Sequence, residues 1–339
     1  MLKSILSVGL VFFCSTTVFS QDKNSITVAF YNCENFFDTK DDPEKDDNEF
    51  LPNAPMKWDE TRYKNKMEKV AQVLDSSVAG SGLPAIAGLV EIENKEVLED
   101  LVSKTQFKNG KYGVLCTTGM DDRSIDVGLI YDQAIFTLVK SEELNVTNSK
   151  LGDYKTRNIL FVTLKATNGD VIYVFVNHWP SRRDGELESE PKRLYAAQVL
   201  KNKITELQKK DSKAKVIVMG DFNDHPDNNS ILNTLKASDK PKAKTDLYNA
   251  YYTLDKNKQG THYFNNIWRC LDQIIVSQGF ITAKKGYKFN PKNAFILRKD
   301  FVLFKNKKTG EEKPNRTYGA ENKYYNGYSD HLSIYITLD

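Results

Sequence analysis

Short runs of apolar residues, rich in β-branched and aromatic side chains, recur along the chain and constrain its fold more than any other feature. Several are apolar throughout rather than alternating, which is typical of β-strands that are covered on both faces. The predicted strands are 26–31, 85–90, 127–131, 159–164, 171–176, 216–219, 274–276 and 334–336. Because such strands need cover on both sides, the pattern predicts a layered fold of sheets and helices.

Two segments between the strands have a helical period instead. Apolar residues recur every three or four positions at 63–74, with Asp59 placed as an N-cap. The same period occurs at 197–207, behind Ser189 and Pro191. We therefore predict helices at both places.

The connection between 159–164 and 171–176 is too short for a helical crossover, so these strands should form an antiparallel hairpin around Asn168-Gly169. With strands outnumbering helices, the prediction is a mixed α/β (α+β) four-layer sandwich. In this fold two mixed β-sheets lie face to face and the helices lie on the outside.

The first twenty residues have the layout of a signal peptide. Lys3 supplies a positive charge, 5–13 form an apolar core too short to span a bilayer, and small residues precede a cleavage site after Ser20. A membrane anchor is the less favoured alternative. We expect a secreted or periplasmic protein without stable membrane insertion, whose residues 21–339 form a single domain. Polar stretches at 39–58 and 305–322 are interpreted as surface insertions.

Charge and cysteine content exclude some classes of protein. The formal net charge of +3 is too small for a strongly cationic protein that wraps nucleic acid, but it permits local phosphate contacts. Beyond the signal peptide, Cys33, Cys116 and Cys270 are too few for a disulfide scaffold. Buried free thiols are the favoured interpretation, and one bridged pair stays open.

Polar side chains follow several of the apolar runs directly. Asn32, Glu91 and His178 each come at or just after the end of a predicted strand, and Asp221 and Asn223 follow another. Any one of them could be an ordinary turn residue. Strand ends converge in layered α/β folds, however, so the repetition predicts a shared pocket.

The residue types in this set suit phosphoester chemistry. Carboxylate and amide oxygens of Glu91, Asp330 and Asn32 would form a hard-oxygen site for Mg²⁺ or Mn²⁺. His178 and His331 can donate to phosphate oxygens or carry protons near neutral pH. Since no serine or cysteine nucleophile with a nearby base is evident, attack by an activated water is the simplest mechanism.

Seven short motifs run along nearly the whole chain in one order: Phe30-Tyr31-Asn32, Gly88-Leu89-Val90-Glu91, Ile125-Asp126-Val127-Gly128-Leu129, Asn177-His178-Trp179, Gly220-Asp221-Phe222-Asn223, Leu271-Asp272-Gln273-Ile274 and Ser329-Asp330-His331. In this order they resemble the endonuclease/exonuclease/phosphatase superfamily, which has the deoxyribonuclease I-like fold. One such motif alone would be modest support, whereas the ordered set is specific.

The resemblance implies a metal site and a catalytic centre. Glu91 would hold Mg²⁺, with Asn32 and Asp330 contributing directly or through water; Mn²⁺ and Ca²⁺ are alternatives. His331, held by Asp272, would act as an acid or base or stabilise the transition state.

The remaining implied roles concern the water and the phosphate. Asp221 would help to activate the attacking water, Asn223 would position the water or the phosphate, and His178 would bind the scissile phosphate. Charge develops on the phosphate oxygens during the reaction, so fixed imidazole and metal donors would give the main rate effect.

The substrate is predicted from the surroundings of His178. Trp179, Arg182, Arg183 and Arg193 could stack on bases and contact phosphates, which favours an endonuclease acting on DNA or RNA. The alternatives are a solvated helix start without a binding role, and a phosphatase or a sphingomyelinase-like lipid phosphodiesterase. A non-catalytic binding protein is a remote alternative. No obligate protein partner is implied.

Overall fold

The computed structural model describes residues 25–78, 82–119 and 121–339, so the predicted signal peptide at 1–20 lies outside the described residues. The strands, in chain order, are β1 (Ile26–Phe36), β2 (Ile86–Ile92), β3 (Tyr112–Cys116), β4 (Asp126–Asp132), β5 (Phe136–Leu144), β6 (Ile159–Ala166), β7 (Val171–His178), β8 (Lys215–Asp221), β9 (Ala237–Ser238), β10 (Leu247–Asn249), β11 (His262–Phe264), β12 (Ile267–Arg269), β13 (Asp272–Ser277), β14 (Phe289–Ile296), β15 (Leu303–Lys305), β16 (Glu312–Pro314) and β17 (Ile334–Leu338). The helices are α1 (Glu60–Ser76), α2 (Lys95–Lys104), α3 (Glu186–Lys210), α4 (Tyr252–Lys256) and α5 (Gln278–Ile281).

Thirteen of the strands form two mixed sheets. The first has six strands in the order β14-β17-β1-β2-β4-β3, with β1 and β2 parallel. The second has seven strands in the order β5-β6-β7-β8-β13-β10-β9, with β7 and β8 parallel. Each sheet thus has a parallel pair near its middle, where strands are covered on both faces.

Three apolar clusters separate four layers. Side chains from both sheets, including Val28, Ile86, Val174, Ile217 and Ile274, form the cluster between them. The helices α1 and α2 pack on the outer face of the first sheet, and α3 packs on the outer face of the second. The predicted four-layer sandwich is therefore confirmed.

The predicted hairpin and both predicted helices are confirmed, and the second helix begins before Ser189 and Pro191. β6 and β7 pair antiparallel around Gly169, which has a φ of +92°. The side chain of Asp59 accepts from the backbone N–H of Arg62 and caps α1. The helix α3 begins at Glu186 and has Pro191 inside it, so the helix lacks the backbone hydrogen bond that residue 191 would otherwise donate.

The apolar runs in the sequence did not predict the strands at the edges of the sheets. β5 and β14 are largely exposed or half-buried along their length, so they lack the continuous apolar run that identified the central strands. Conversely, several central strands extend past their apolar run into polar residues, as β7 does to His178. Cys33, Cys116 and Cys270 are free thiols; Cys116 is half-buried and the other two are buried.

Among the residues that the structure describes, no helix combines the length and the apolar character needed to cross a membrane.

The close approach of the two sheets at Gly88 gives a stability prediction. A Cβ at this position would lie 2.6 Å from Sδ of Met219 and 3.0 Å from Cγ1 of Val176 on the facing sheet. Gly88→Val should therefore lower the free energy of unfolding by about 1–3 kcal/mol through overpacking, as measured by urea denaturation. The control is Val139→Ile on an exposed part of β5, expected to change stability by less than about 0.5 kcal/mol. Equal stability of both variants would contradict this account of the interface.

Candidate active site

Side-chain alternation along four strands directs polar groups into the space between the sheets. On β1, Val28 and Phe30 belong to the inter-sheet cluster, and Asn32 comes next in the same alternation. The same spacing links Val176 to His178 on β7. Asp221 on β8 and Asp272 on β13 likewise lie two residues from members of this cluster. These four side chains are all buried at one end of the sandwich.

Glu91 reaches the same region through a β-bulge. Leu89 and Ile92 both belong to the outer cluster under α1 and α2, although strict alternation would place them on opposite faces. The register of β2 shifts between Val90 and Ile92, and Glu91 has a φ of +56°. Glu91 is therefore the extra residue of the bulge, and the left-handed backbone turns its side chain away from the helices.

The carboxylate of Asp221 lies at the centre of the site. Its Oδ2 accepts from Nδ2 of Asn32 at 3.1 Å and lies 3.8 Å from Nε2 of His178 and of His331. Its Oδ1 accepts from the backbone N–H of Asn223 at 2.9 Å. Burial, together with Asp272 and Glu91, raises the pKa of Asp221 to about 6, against the opposing effect of His331.

The two histidines of the site are held in opposite protonation states. Burial, Arg157 and other cations lower the pKa of His178 well below its usual range. Burial acts in the same direction on His331, but the carboxylates of Asp272 and Asp221 raise its pKa well above the usual range. The Nδ1–H of His331 donates to Asp272 at 2.7 Å, the pairing that the family resemblance implies. Near neutral pH the site therefore contains one charged and one neutral imidazole.

The three expected metal ligands form the acidic side of the site. Burial and the like charge of Asp330 raise the pKa of Glu91, but Arg123 and His178 lower it further, so its net shift is downward. The pKa of Asp330 is also lowered, by His331 and other cations, against burial. Asn32 uses its Oδ1 to accept from the backbone N–H of Glu34, which leaves a second lone pair on that oxygen. Two carboxylates and an amide oxygen match the preferences of a hard divalent cation, so these residues fit the predicted ion.

Two further groups of ligand atoms lie close together within the described residues. His262, Asp330 and His331 offer ligand atoms within 4.8 Å of one another, as do Asp221, Asp272 and His331. Because His331 uses Nδ1 for Asp272, we favour the hard-oxygen set as the metal site and assign His331 to proton chemistry.

Asn223 has a structural role in the site that the sequence did not indicate. Its φ is +48°, and its Nδ2 donates to the backbone oxygen of Trp179 at 3.0 Å. This contact links the turn after Asp221 to the residue that follows His178. Asn223 thus fixes the separation of two strand ends, and its Oδ1 remains for a water or a phosphate.

Two of the four residues expected to bind substrate are placed elsewhere. Trp179 is fully buried, packs edge-on against Phe222, and donates from Nε1 to Asn177. Arg193 is also fully buried, with Nε 2.7 Å from Oδ1 of Asp224. Neither side chain can contact substrate in this arrangement, so both expectations were wrong. The sequence places them beside the catalytic motif, but their core contacts depend on the fold.

The other two residues differ in exposure. Arg182 donates to the backbone oxygen of Asn223 and to the side chains of Asp224 and Asn228, so it braces the loop after β8. Arg183 is exposed. Of the predicted cationic set, Arg183 is thus the side chain most available to substrate.

Three residues at the site were missed from the sequence. Arg123 donates to both oxygens of Glu91, and buried Glu34 accepts from Arg316, which also contacts Asp330. The ring centroid of His262 lies 4.7 Å from that of His331. Glu34 could have been found two residues after Asn32, whereas the other two are near the site only through long-range pairing, such as the isolated bridge between His262 and His331.

A family model described as the Endonuclease/Exonuclease/phosphatase family matches residues 27–339. Among solved structures, a humanised TDP2 of D. rerio is 13% identical, with a TM-score of 0.56 over 93% of this chain and 99% of that chain. D. rerio TDP2 complexed with a single-strand DNA product is 15% identical, with a TM-score of 0.52 over 93% and 99%. A mannosyl-6-phosphatase of Bacteroides thetaiotaomicron is 13% identical, with a TM-score of 0.50 over 93% and 99%. At these identities the likeness shows a shared fold, and no curated protein sequence matches significantly.

The His331–Asp272 pair gives a prediction on pH dependence. Asp272→Asn should lower the pKa of His331, measured by NMR titration of the imidazole in metal-free protein, because the anionic partner is lost. A raised folded-state pKa stabilises the protein fully below the unfolded value of about 6.5, and this contribution disappears as pH rises through the folded pKa. The variant should therefore lose more stability at pH 5 than at high pH. An unchanged His331 titration would contradict the assignment.

Proposed function

The chain belongs to the endonuclease/exonuclease/phosphatase family, and we propose that it is a divalent-metal-dependent phosphodiesterase that cleaves nucleic acid with an activated water. Members of this superfamily hydrolyse phosphoesters. The observation that carries the proposal is the position of Asp221, whose Oδ2 lies 3.8 Å from Nε2 of both His178 and His331. One carboxylate between two imidazoles of opposite charge suits the transfer of protons to and from a phosphate centre.

The protein's own residues would divide the reaction as follows. Asp221 takes a proton from the attacking water, because a pKa of about 6 makes it a stronger base than an ordinary aspartate. Protonated His331, held by Asp272, donates to the charge that develops on phosphate or on the leaving oxygen. Neutral His178 donates one N–H to a phosphate oxygen, and Asn223 orients the water.

Glu91, Asp330 and Asn32 would hold the cation, which we propose is Mg²⁺, with Mn²⁺ or Ca²⁺ as alternatives. When bound, a divalent ion supplies positive charge that stabilises the developing charge on phosphate oxygens. The chain contributes the enclosed acidic site in which that charge is concentrated. Both carboxylates are ionised near neutral pH, since the pKa of Glu91 is lowered to about 2 and that of Asp330 is lowered as well.

Nucleic acid is the favoured substrate because cationic and aromatic side chains are accessible around the site. Arg183 is exposed, and Arg316, which contacts Asp330, is 47% exposed. Phe264 is 68% exposed, and its ring centroid lies 6.4 Å from that of His262, which contacts His331. Stacking on Phe264 and phosphate contact by the two arginines are interactions that a polynucleotide can make together. The likeness in fold to TDP2 with bound DNA product agrees with this proposal.

Another phosphoester is the alternative, either a phosphomonoester or a lipid headgroup. The fold is shared with a mannosyl-6-phosphatase, and the hairpin of β11 and β12 exposes Phe264 and Ile267 near the site. That hairpin has only three residues in each strand, so its apolar tip is small. We further propose export through the predicted signal peptide at 1–20, so that the substrate would be encountered outside the cytoplasm.

The catalytic assignment predicts the behaviour of His331→Ala. Cleavage of DNA or RNA by the mature protein in Mg²⁺ should fall by about 10²–10⁴-fold, because the proton donor is lost. Lys209→Ala, at the exposed end of α3, is the control and should retain activity. Robust turnover by His331→Ala would exclude the proposed role. Tight ligand binding without metal binding or turnover in the wild type would favour the non-catalytic alternative.

The substrate assignment predicts a ranking among phosphoesters. At equal metal concentration, the wild type should cleave double-stranded DNA, single-stranded DNA or RNA faster than a sugar phosphate or sphingomyelin. Phe264→Ala should raise KM for the preferred nucleic acid by about 5–100-fold, which corresponds to the loss of one stacking contact. Release of phosphate from a sugar phosphate without cleavage of any polynucleotide would overturn the nuclease proposal and leave the metal-dependent hydrolase intact.

A further inference from the structure

The guanidinium of Arg123 lies across the carboxylate of Glu91. Its Nη1 is 3.2 Å from Oε1 and its Nη2 is 2.9 Å from Oε2, so each nitrogen donates to a different oxygen. The same Nη2 donates to Oδ1 of Asn35 at 2.9 Å. Asn35 lies on β1, so the guanidinium also contacts the strand that carries Asn32. Arg123 therefore satisfies both oxygens of the carboxylate that is proposed to bind metal.

Because Glu91 is buried, its carboxylate needs a cationic partner in the metal-free protein as well as in the metal-bound protein. Its side chain is 12% exposed, and a carboxylate at this depth is costly unless it is paired and hydrogen-bonded. The planar guanidinium matches the two oxygens in a way that a single point charge does not. The pair is thus a stable arrangement of the site without metal.

The backbone near Arg123 is fixed by hydrogen bonds, while its side chain is partly exposed. The N–H of Arg123 donates to Asp121, and Asp121 forms a buried ion pair with Arg157 at 2.8 Å. Arg157 in turn donates to the backbone oxygen of Trp179, the residue after His178. The Arg123 side chain is nevertheless 32% exposed, so its outer end can leave Glu91 without unpacking the core.

We propose that Arg123 is a resident counter-ion that neutralises Glu91 until a divalent cation displaces it. This inference rests on the metal site of the proposed function and adds to it a competition within the protein. The affinity for metal would then depend on how much more strongly the Glu91 carboxylate binds the divalent cation than it binds Arg123. Arg123 would weaken metal binding and, in exchange, stabilise the metal-free protein.

Two variants separate direct displacement from simple repulsion between positive charges. Arg123→Lys keeps the charge and loses the paired donors, whereas Arg123→Gln loses both. Direct displacement predicts tighter Mg²⁺ binding in both variants, by about five-fold or more. Repulsion alone predicts tighter binding only in the glutamine variant.

The control is the same substitution at an arginine with similar surroundings. Arg269 is also 32% exposed and also pairs with a buried carboxylate, that of Asp255, which is not among the expected metal ligands. Arg269→Lys should leave the Kd for Mg²⁺ unchanged. This control accounts for any general effect of weakening an arginine–carboxylate pair.

The experiment is calorimetric titration of Mg²⁺ alone into the mature wild type and the three variants, with thermal unfolding of each protein measured with and without Mg²⁺. We expect the Arg123 variants to have a lower Tm without metal, a larger increase in Tm on adding metal, and a lower Kd. Circular dichroism before titration identifies a variant that has failed to fold. If only Arg123→Lys fails to fold, the titration of Arg123→Gln is repeated at high salt, which screens simple repulsion between charges. A tighter Kd that persists at high salt supports displacement, and an unchanged Kd, or a tightening that salt abolishes, overturns it.

The outcomes distinguish this inference from the proposed function. Absence of Mg²⁺ binding and of any Tm increase in the wild type would exclude the metal site, and with it both proposals. A wild type that binds Mg²⁺ beside a folded Arg123→Lys variant of equal or weaker affinity would overturn only the displacement. Tighter binding in Arg269→Lys as well would also overturn it, because the effect would not be specific to Glu91.

Discussion

Burial of the Asp221 carboxylate between two facing sheets is the constraint on which the site depends. Asp221 is 2% exposed and has hydrogen-bond partners on two sides, Asn32 from the opposite sheet and the backbone of Asn223. Its position follows from the parallel pairing of β7 with β8, which aligns it with His178, and from the antiparallel pairing with β13, which aligns it with Asp272. Three chemically active residues are thus adjacent because backbone hydrogen bonds set the register.

The charges of the site are arranged so that no buried carboxylate is isolated. Glu91 faces Arg123, Asp272 faces His331, and Glu34 faces Arg316 together with the backbone N–H of Thr317. Such pairing avoids the cost of uncompensated buried charge. The partners also set the charge of His331, whose pKa is raised by the carboxylates of Asp272 and Asp221, whereas burial and Arg157 lower the pKa of His178.

The four-layer architecture could be predicted because buried central strands are visible as apolar runs, and much of the site because its residues come at the ends of those runs. Asn32, His178 and Asp221, for example, come at or just after the ends of apolar runs that the sequence displays. By contrast, Arg123 and His262 reach the site from a loop and a short hairpin, and only tertiary structure brings them there. Trp179 was misjudged for the converse reason, since proximity in sequence to His178 does not reveal that its ring points into the core beneath α3.

The bulge at Glu91 reverses the order in which the side chains of β2 alternate between its two faces. Before the bulge, even-numbered side chains of β2 point between the sheets and odd-numbered ones point toward the helices. Ile92 is even-numbered but points toward the helices. Loss of one residue from β2 would remove the bulge, and with it the left-handed backbone that sets the direction of the Glu91 side chain. The position of the carboxylate therefore depends on the number of residues in β2 as well as on their identity.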